Sequence, residues 1–226
     1  MSDVEITVLI PAYNEAGHIG ATLAGLRKSK YPLAVTVIDD CSGDETAAVA
    51  GENQARVIRL SRNEGKGGAL NHGLAEVRGG IVALIDADLG DSAAEIDKLL
   101  QPVVENKTDM SIAQFGAFGK KGGFGIATAI ARMGLKITTG MNFKSPMSGQ
   151  RVLRYEVLEA IRKKVASGFG VEVGLTIDVF RAGFRIKEVP VKMTHAETGR
   201  DFPGFLHRGR QCLDIVTVLI RKWVNR

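Results

Sequence analysis

Leu9-Ile10-Pro11-Ala12-Tyr13-Asn14-Glu15 closes the first of four short apolar runs, and the way these runs are spaced and ended decides the fold. The runs are Ile6 to Ile10, Val35 to Ile38, Val57 to Leu60 and Ile81 to Ile85, each four or five residues long and rich in β-branched side chains. With little polar alternation, they read as strands buried on both faces. Helical periodicity spans about 15–28, 44–52 and 67–77 between them, and 92–105 after the last. Strand-helix alternation of this kind predicts an α/β fold, with a mostly parallel central sheet and flanking helices.

Beyond residue 109 the pattern is less regular. A strand is expected over Met110 to Ala113, then a basic glycine-rich loop from Gly116 to Gly125 and a helix to Lys136. An irregular segment runs through Pro146, followed by helices over Arg154 to Lys164 and Val171 to Ala182, a strand over Arg185 to Val191, and helical period from Phe205 to Trp223. The chain has 226 residues, enough for a core of its own, and no repeat, proline-rich linker or low-complexity tract divides it. One domain over 1–226 is the expectation.

Hydrophobic residues make up 45% and charged residues 24%, which excludes a disordered chain. No stretch reaches the roughly 18 apolar residues of a membrane span. The acidic start, Met1-Ser2-Asp3-Val4-Glu5, lacks the basic and apolar regions of a secretory signal, so a cytoplasmic location is expected, with any membrane contact peripheral. Cys41 and Cys212 lack metal-type spacing and read as reduced structural residues. The net charge of +5 divides into −7 over residues 1–109 and +12 over residues 110–226. Acidic clusters suit cations and hydroxyl-rich ligands, whereas basic ones suit phosphates, nucleic acids or anionic surfaces.

The polar residues concentrate where the strands end. An open parallel sheet binds ligands outside the carboxyl ends of its strands, and those ends read Pro11 to Glu15, Asp39-Asp40 and Asp86-Ala87-Asp88. An aspartate after a strand is commonly a turn former or helix cap, a reading that weighs evenly for Asp40 through Asp44. For Asp86 and Asp88, period-2 geometry puts both carboxylates on one side, where they repel unless a cation lies between them. Mg²⁺ or Mn²⁺ shared with a diphosphate fits. Neither the dinucleotide-binding fingerprint nor a P-loop is present, but Lys66 and the free N–H groups of Gly65-Lys66-Gly67-Gly68 would favour negative charge at a helix start.

These four segments, with Asn63 to Asn71 as the third, resemble the ordered motif set of family-2-type glycosyltransferases with the GT-A fold. The resemblance implies that Pro11, Ala12, Tyr13, Glu15 and Asp39 or Asp40 hold the nucleoside of a nucleotide-sugar donor. It also places Lys66, Asp86, Ala87 and Asp88 about the donor, with Asp88 on the metal. Farther along, Pro146 to Arg151, Ser167 to Gly174 and Val191 to His195 are similar to segments of glucosyl-3-phosphoglycerate synthases and, more loosely, dolichol-phosphate mannosyltransferases. That likeness implies a sugar contact or base at Glu172 and a second metal ligand at His195. A helix N-terminal carboxylate is the plain alternative for Glu172.

One departure bears on the acceptor. The arginine and threonine with which those synthases hold phosphoglycerate fall on Gly125 and Ala127, so phosphoglycerate loses its holding groups here. Lys120 and Lys121 instead open a basic block with no carboxylate between Gly116 and Tyr155. With Ser148, Gly149, Gln150 and Arg200, they are the expected acceptor residues for a polyprenyl phosphate or a small phosphorylated metabolite. The expected reaction moves a hexose, glucose from UDP-glucose first among them, onto that phosphate. A solvated basic face is the alternative, and the terminal helix could cover the domain, a second subunit of a homodimer, or a membrane. A nucleotidyltransferase of related fold would need a glycine-rich, arginine-containing loop where Pro11 to Glu15 stands. A nucleic-acid-binding protein explains the basic half but not the acidic strand ends, and 6% aromatic residues is little for base stacking, so no nucleic acid is expected as a partner.

Overall fold

The computed structural model describes residues 4–115, 125–161, 170–195 and 216–222. One seven-stranded sheet organises them, in the order β3-β2-β1-β4-β6-β5-β7. Its strands are β1 (Ile6–Ala12), β2 (Ala34–Asp39), β3 (Arg56–Arg59), β4 (Ile81–Leu84), β5 (Met110–Phe115), β6 (Arg151–Arg154) and β7 (Ile186–Val191). The first four are mutually parallel and β5 is parallel to β7, while β6 runs antiparallel between β4 and β5. The mostly parallel α/β sheet expected from the alternation of runs is therefore present.

Helices α1 (Ile19–Leu26) and α4 (Ile96–Val104) cover one face of the sheet, and α3 (Gly65–Glu76), α5 (Gly125–Thr139), α6 (Tyr155–Ile161) and α7 (Val171–Arg181) the other. The short α2 (Thr46–Glu52) joins β2 to β3. Strand β1 shows why the apolar runs lack polar alternation: Val8 and Ile10 enter one core while Leu9 enters the other. The same division holds in β4, where Val82 and Leu84 face one core and Ile81 and Ala83 the other.

Three boundaries differ from the periodicity. Helix α1 starts at Ile19 because the Glu15 carbonyl accepts the N–H groups of both His18 and Ile19, closing a turn first. Residues Gly90–Glu95 form a 3₁₀ turn before α4. The third is strand β6, whose four residues carry no period of their own: 151–153 fall between the expected irregular segment and helix, and Arg154, the expected helix start, ends the strand. Its pairing with Ile81 to Leu84 on one side and Met110 to Ile112 on the other makes it a strand.

Residues 216–222 are helical and pack on the domain. Leu219 lies so close to α5 that a Cβ at Gly134 would come within 2.5 Å of it. The Lys222 ammonium donates to the buried Asp178 carboxylate of α7 at 2.5 Å, and Arg181 donates to the Lys222 carbonyl at 2.6 Å. Among the described residues, no helix is long and apolar enough to cross a membrane.

The distal end of the sheet is fastened by Asp109. Its carboxylate accepts the Arg185 backbone N–H at 2.8 Å, Nε at 3.0 Å and a terminal guanidinium nitrogen at 2.9 Å. The Arg185 hydrogen bond is the main cause that holds the Asp109 pKa below its ordinary value, against partial burial. A carboxylate depressed in the folded state contributes stability above its unfolded pKa and loses it as pH falls through the folded one. Asp109→Asn is accordingly expected to lower the melting temperature by a few degrees at neutral pH, with the two proteins converging in acid; thermal unfolding across pH measures this.

Candidate active site

The carboxyl ends of β1, β2 and β4 open on one edge of the sheet, and hydrogen bonds between the loops that follow β1 and β2 shape them. Asn14 adopts a left-handed φ of 56°, and its N–H donates to Ser42 Oγ while its side-chain oxygen accepts the Gly43 N–H. Asp44 accepts from Ala16 N–H and from the Thr46 N–H and hydroxyl, and the hydroxyl bond is the leading cause that lowers its pKa. Asp44 thus ties the first two loops together, which is the turn-forming role weighed for it. Pro11 and Ala12 end β1 beneath these loops, Tyr13 is half exposed, and Glu15 pairs with His18 at 2.8 Å.

Asp39 and Asp40 are both buried but differently engaged. Asp40 accepts the Glu64 N–H at 2.7 Å and so fixes the entry to α3. Asp39 Oδ1 accepts the Ser42 N–H, whereas Oδ2 has no hydrogen-bond partner; Arg59 Nε lies 3.2 Å away without hydrogen-bond alignment. A buried acceptor of this kind has capacity for a ligand donor.

After β4, the Asp86 and Asp88 carboxylates diverge into two linked pairs. Asp86 Oδ1 meets the Lys66 ammonium at 2.8 Å, and the same ammonium meets Glu172 Oε1 at 2.9 Å. Gln150, fully buried, donates to Asp86 Oδ2 at 2.6 Å. Burial works against charge on Lys66, but the two carboxylates outweigh it and hold its pKa above the usual lysine value. Burial alone would raise Asp86; the Lys66 charge and hydrogen bond, helped by His195 and Gln150, hold it low.

Asp88 Oδ1 lies 2.9 Å from His195 Nδ1. That hydrogen bond raises the His195 pKa, opposed by burial and supported by the Asp88 and Asp86 charges. His195 reaches this position from the far side of the sheet because the segment after β7 is pinned to the 3₁₀ turn. Thr194 N–H donates to Ser92 Oγ at 3.0 Å and Lys192 N–H to Glu95 at 3.0 Å. Phe115, ending β5, stacks at a tilt on the imidazole with centroids 5.3 Å apart.

One ligand atom each from Asp86, Asp88 and His195 lies within 4.8 Å of the others. Two carboxylates with one imidazole fit Mg²⁺ or Mn²⁺. With His195 neutral, three carboxylates against one ammonium leave the cluster at −2, the charge that a divalent cation balances. A cavity of ≈ 330 Å³ adjoins the Asp88–His195 pair, lined on its other side by Gly17, His18 and Asp91.

Two residues here escaped sequence reasoning in their actual roles. Gly149 lies under the ion pair: a Cβ there would come 2.6 Å from Lys66 Nζ and 2.7 Å from Asp86 Oδ2. Arg151, at the start of β6, is fully buried and, among the described residues, has no carboxylate partner. It donates to the Ser148 carbonyl at 2.9 Å and to Thr176 Oγ1 at 2.8 Å, and Thr176 donates to the Glu172 carbonyl. Burial pulls its pKa down to about 10, against the charges of Glu172 and Glu188. Antiparallel pairing with β4, invisible in one sequence, is what carries 149–151 under Asp86. Ser148 is buried with Gln150, Ala87 is buried with its carbonyl accepting from Thr22, and Lys120, Lys121 and Arg200 lie outside the described residues.

Fold and cluster together define a GT-A-type α/β protein with an acidic cluster that could hold a cation. A solved structure of glucosyl-3-phosphoglycerate synthase from Mycobacterium tuberculosis, in complex with Mn²⁺, UDP-glucose and phosphoglyceric acid, superimposes with a TM-score of 0.79, covering 97% of this chain and 79% of that one at 24% identity. Residues 7–162 match glycosyl transferase family 2, and the chain belongs to that family. It is 31% identical over 202 residues to the uncharacterized protein MJ1222 of Methanocaldococcus jannaschii, covering 85% of this chain and 83% of the relative. It is 27% identical over 217 residues to the undecaprenyl-phosphate mannosyltransferase of Micrococcus luteus, covering 87% and 86%. The protein is therefore a glycosyltransferase.

Because Gly149 leaves room for the Lys66–Asp86 pair, Gly149→Ala is expected to displace it. Since such supporting contacts commonly cost 10–100-fold in metal affinity, a loss of about that size in Mn²⁺ binding by calorimetry is expected.

Proposed function

We propose that the protein transfers a hexose, glucose from UDP-glucose, to a phosphate-bearing acceptor with Mg²⁺ or Mn²⁺ as cofactor. The observation that carries this reading is the meeting of Asp86, Asp88 and His195 beside the Lys66–Glu172 pair. Asp88 and His195 would hold the cation with Asp86 alongside. When bound, such an ion acts as a Lewis acid on the departing diphosphate.

The chain's own groups supply the rest. Asp39 Oδ2, buried and free of hydrogen bonds, takes a nucleoside donor group, while Asp40 keeps the loop in place. Tyr13, half exposed above β1, lies against the base, with Pro11, Ala12 and Glu15 shaping that end. Lys66 fixes Asp86 and Glu172 relative to each other and adds positive charge where the leaving group departs. Glu172 positions the sugar or accepts the acceptor proton, its helix held from behind by Arg151 through Thr176. The acceptor phosphate is met by Lys120, Lys121 and Arg200, with the 148–150 segment forming the floor. The undecaprenyl-phosphate mannosyltransferase match supports a polyprenyl phosphate as the acceptor, and the synthase superposition supports a nucleotide-sugar donor.

Calorimetry with UDP-glucose is expected to show binding with Mn²⁺ that chelation weakens strongly; absence of any nucleotide-sugar binding overturns the reading. Asp88→Ala and His195→Ala should each reduce metal-dependent donor affinity by about tenfold or more, the loss expected when a ligand group is removed. Unchanged affinity in His195→Ala takes it out of the metal shell. Lys120→Ala with Lys121→Ala should raise the acceptor KM and spare donor affinity, and the reverse pattern moves the basic block to the donor.

A further inference from the structure

The basic half of the chain carries a surface to which the proposed function assigns no residue. On α5, Met133 and Ile137 are 66% and 63% exposed, and on the 216–222 helix Ile220 is 57% and Val216 36% exposed. Each pair is spaced i, i+4 and so shares one side of its helix. Met133 and Ile137 lie on the turn around Gly134, and Val216 and Ile220 on the turn around Leu219; the contact of Gly134 with Leu219 packs these two turns against each other. Four of the six large hydrophobic side chains exposed among the described residues lie here, which is clustering rather than scatter.

The charges interleaved with them have one sign. Exposed Lys136 precedes Ile137 on α5 and exposed Arg221 follows Ile220, while the Arg132 guanidinium before Met133 donates to the Phe143 and Lys144 carbonyls. Neither α5 nor 216–222 contains a carboxylate. We propose that this face rests on an anionic lipid surface, its apolar pairs entering the headgroup boundary and its cations meeting lipid phosphates. A second copy of the chain fits less well, because a two-fold contact would press this cationic face against itself. Nucleic acid leaves the four aliphatic side chains unexplained. The inference deepens the proposed function by naming where a lipid-linked acceptor is met, and depends on that reading for this consequence alone.

Sedimentation with vesicles tests it without donor or acceptor. Binding is expected to phosphatidylcholine vesicles containing phosphatidylglycerol, to weaken with salt, and to be lacking with phosphatidylcholine alone. Met133→Asp with Ile220→Asp, and separately Lys136→Glu with Arg221→Glu, should each lower vesicle binding by at least about tenfold with the melting temperature retained, as expected for lost apolar burial and lost phosphate attraction. Equal binding by wild type and both variants overturns the proposal. So does a wild-type dimer that Met133→Asp with Ile220→Asp converts to monomer without any vesicle binding in the wild type. Donor calorimetry on the same variants stands apart: retained UDP-glucose binding with lost vesicle binding supports the surface, and absent nucleotide-sugar binding counts against the transfer reading only.

Discussion

The Lys66 ammonium, held between Asp86 and Glu172, is the interaction on which the site depends. Three elements distant in sequence meet there: the start of α3, the end of β4 and the first turn of α7. Each alone would place a charged group in a partly dry cleft at a cost; together they satisfy one another. Asp88 pairs instead with His195, so the acidic edge carries the Lys66–Asp86–Glu172 group beside the Asp88–His195 pair. Gly149 and Gln150 complete the arrangement from below, one by having no side chain and the other by donating to Asp86.

Energetically the site is supported by a buried charge of unusual placement. Arg151 lies in the core against a hydroxyl and a carbonyl rather than a carboxylate, which leaves one guanidinium nitrogen without a hydrogen-bond partner. Its long-range attraction to Glu172 and Glu188 offsets part of the burial cost. Such a group is unfavourable for stability taken alone. It is intelligible because it ties the 148–150 segment to the helix carrying Glu172, the two parts that must stay in register around Lys66.

Much of the fold was legible because the four apolar runs are buried on both faces and separated by helical period. The parallel half of the sheet and the acidic strand ends follow from that regularity, whereas Glu172 and His195 came from the resemblance to family-2-type glycosyltransferases. Strand β6 was not legible: Arg151-Val152-Leu153-Arg154 has two charged ends and no period, and only pairing with β4 and β5 gives it a conformation. The choice between Asp39 and Asp40 was equally closed to sequence, since one ends β2, the other follows it directly, and both are buried. Which oxygen stays open depends on the Glu64 N–H and on Ser42.

By itself, the sequence determined the alternating sheet, the acidic strand ends and the split of charge into −7 and +12 halves, since these rest on local periodicity and residue type. Only the tertiary structure decided that Lys66 binds carboxylates and that Gly149 is there to leave space, while the meeting of His195 with Asp88, expected from the resemblance, takes the form of a direct hydrogen bond. It also decided that the 216–222 helix packs Leu219 against Gly134 while leaving Val216 and Ile220 exposed. The physical reason is the same in each case. A side chain's partners are set by strand pairing and helix packing across long separations, and single-sequence periodicity reports which side of an element is apolar but not what lies opposite it.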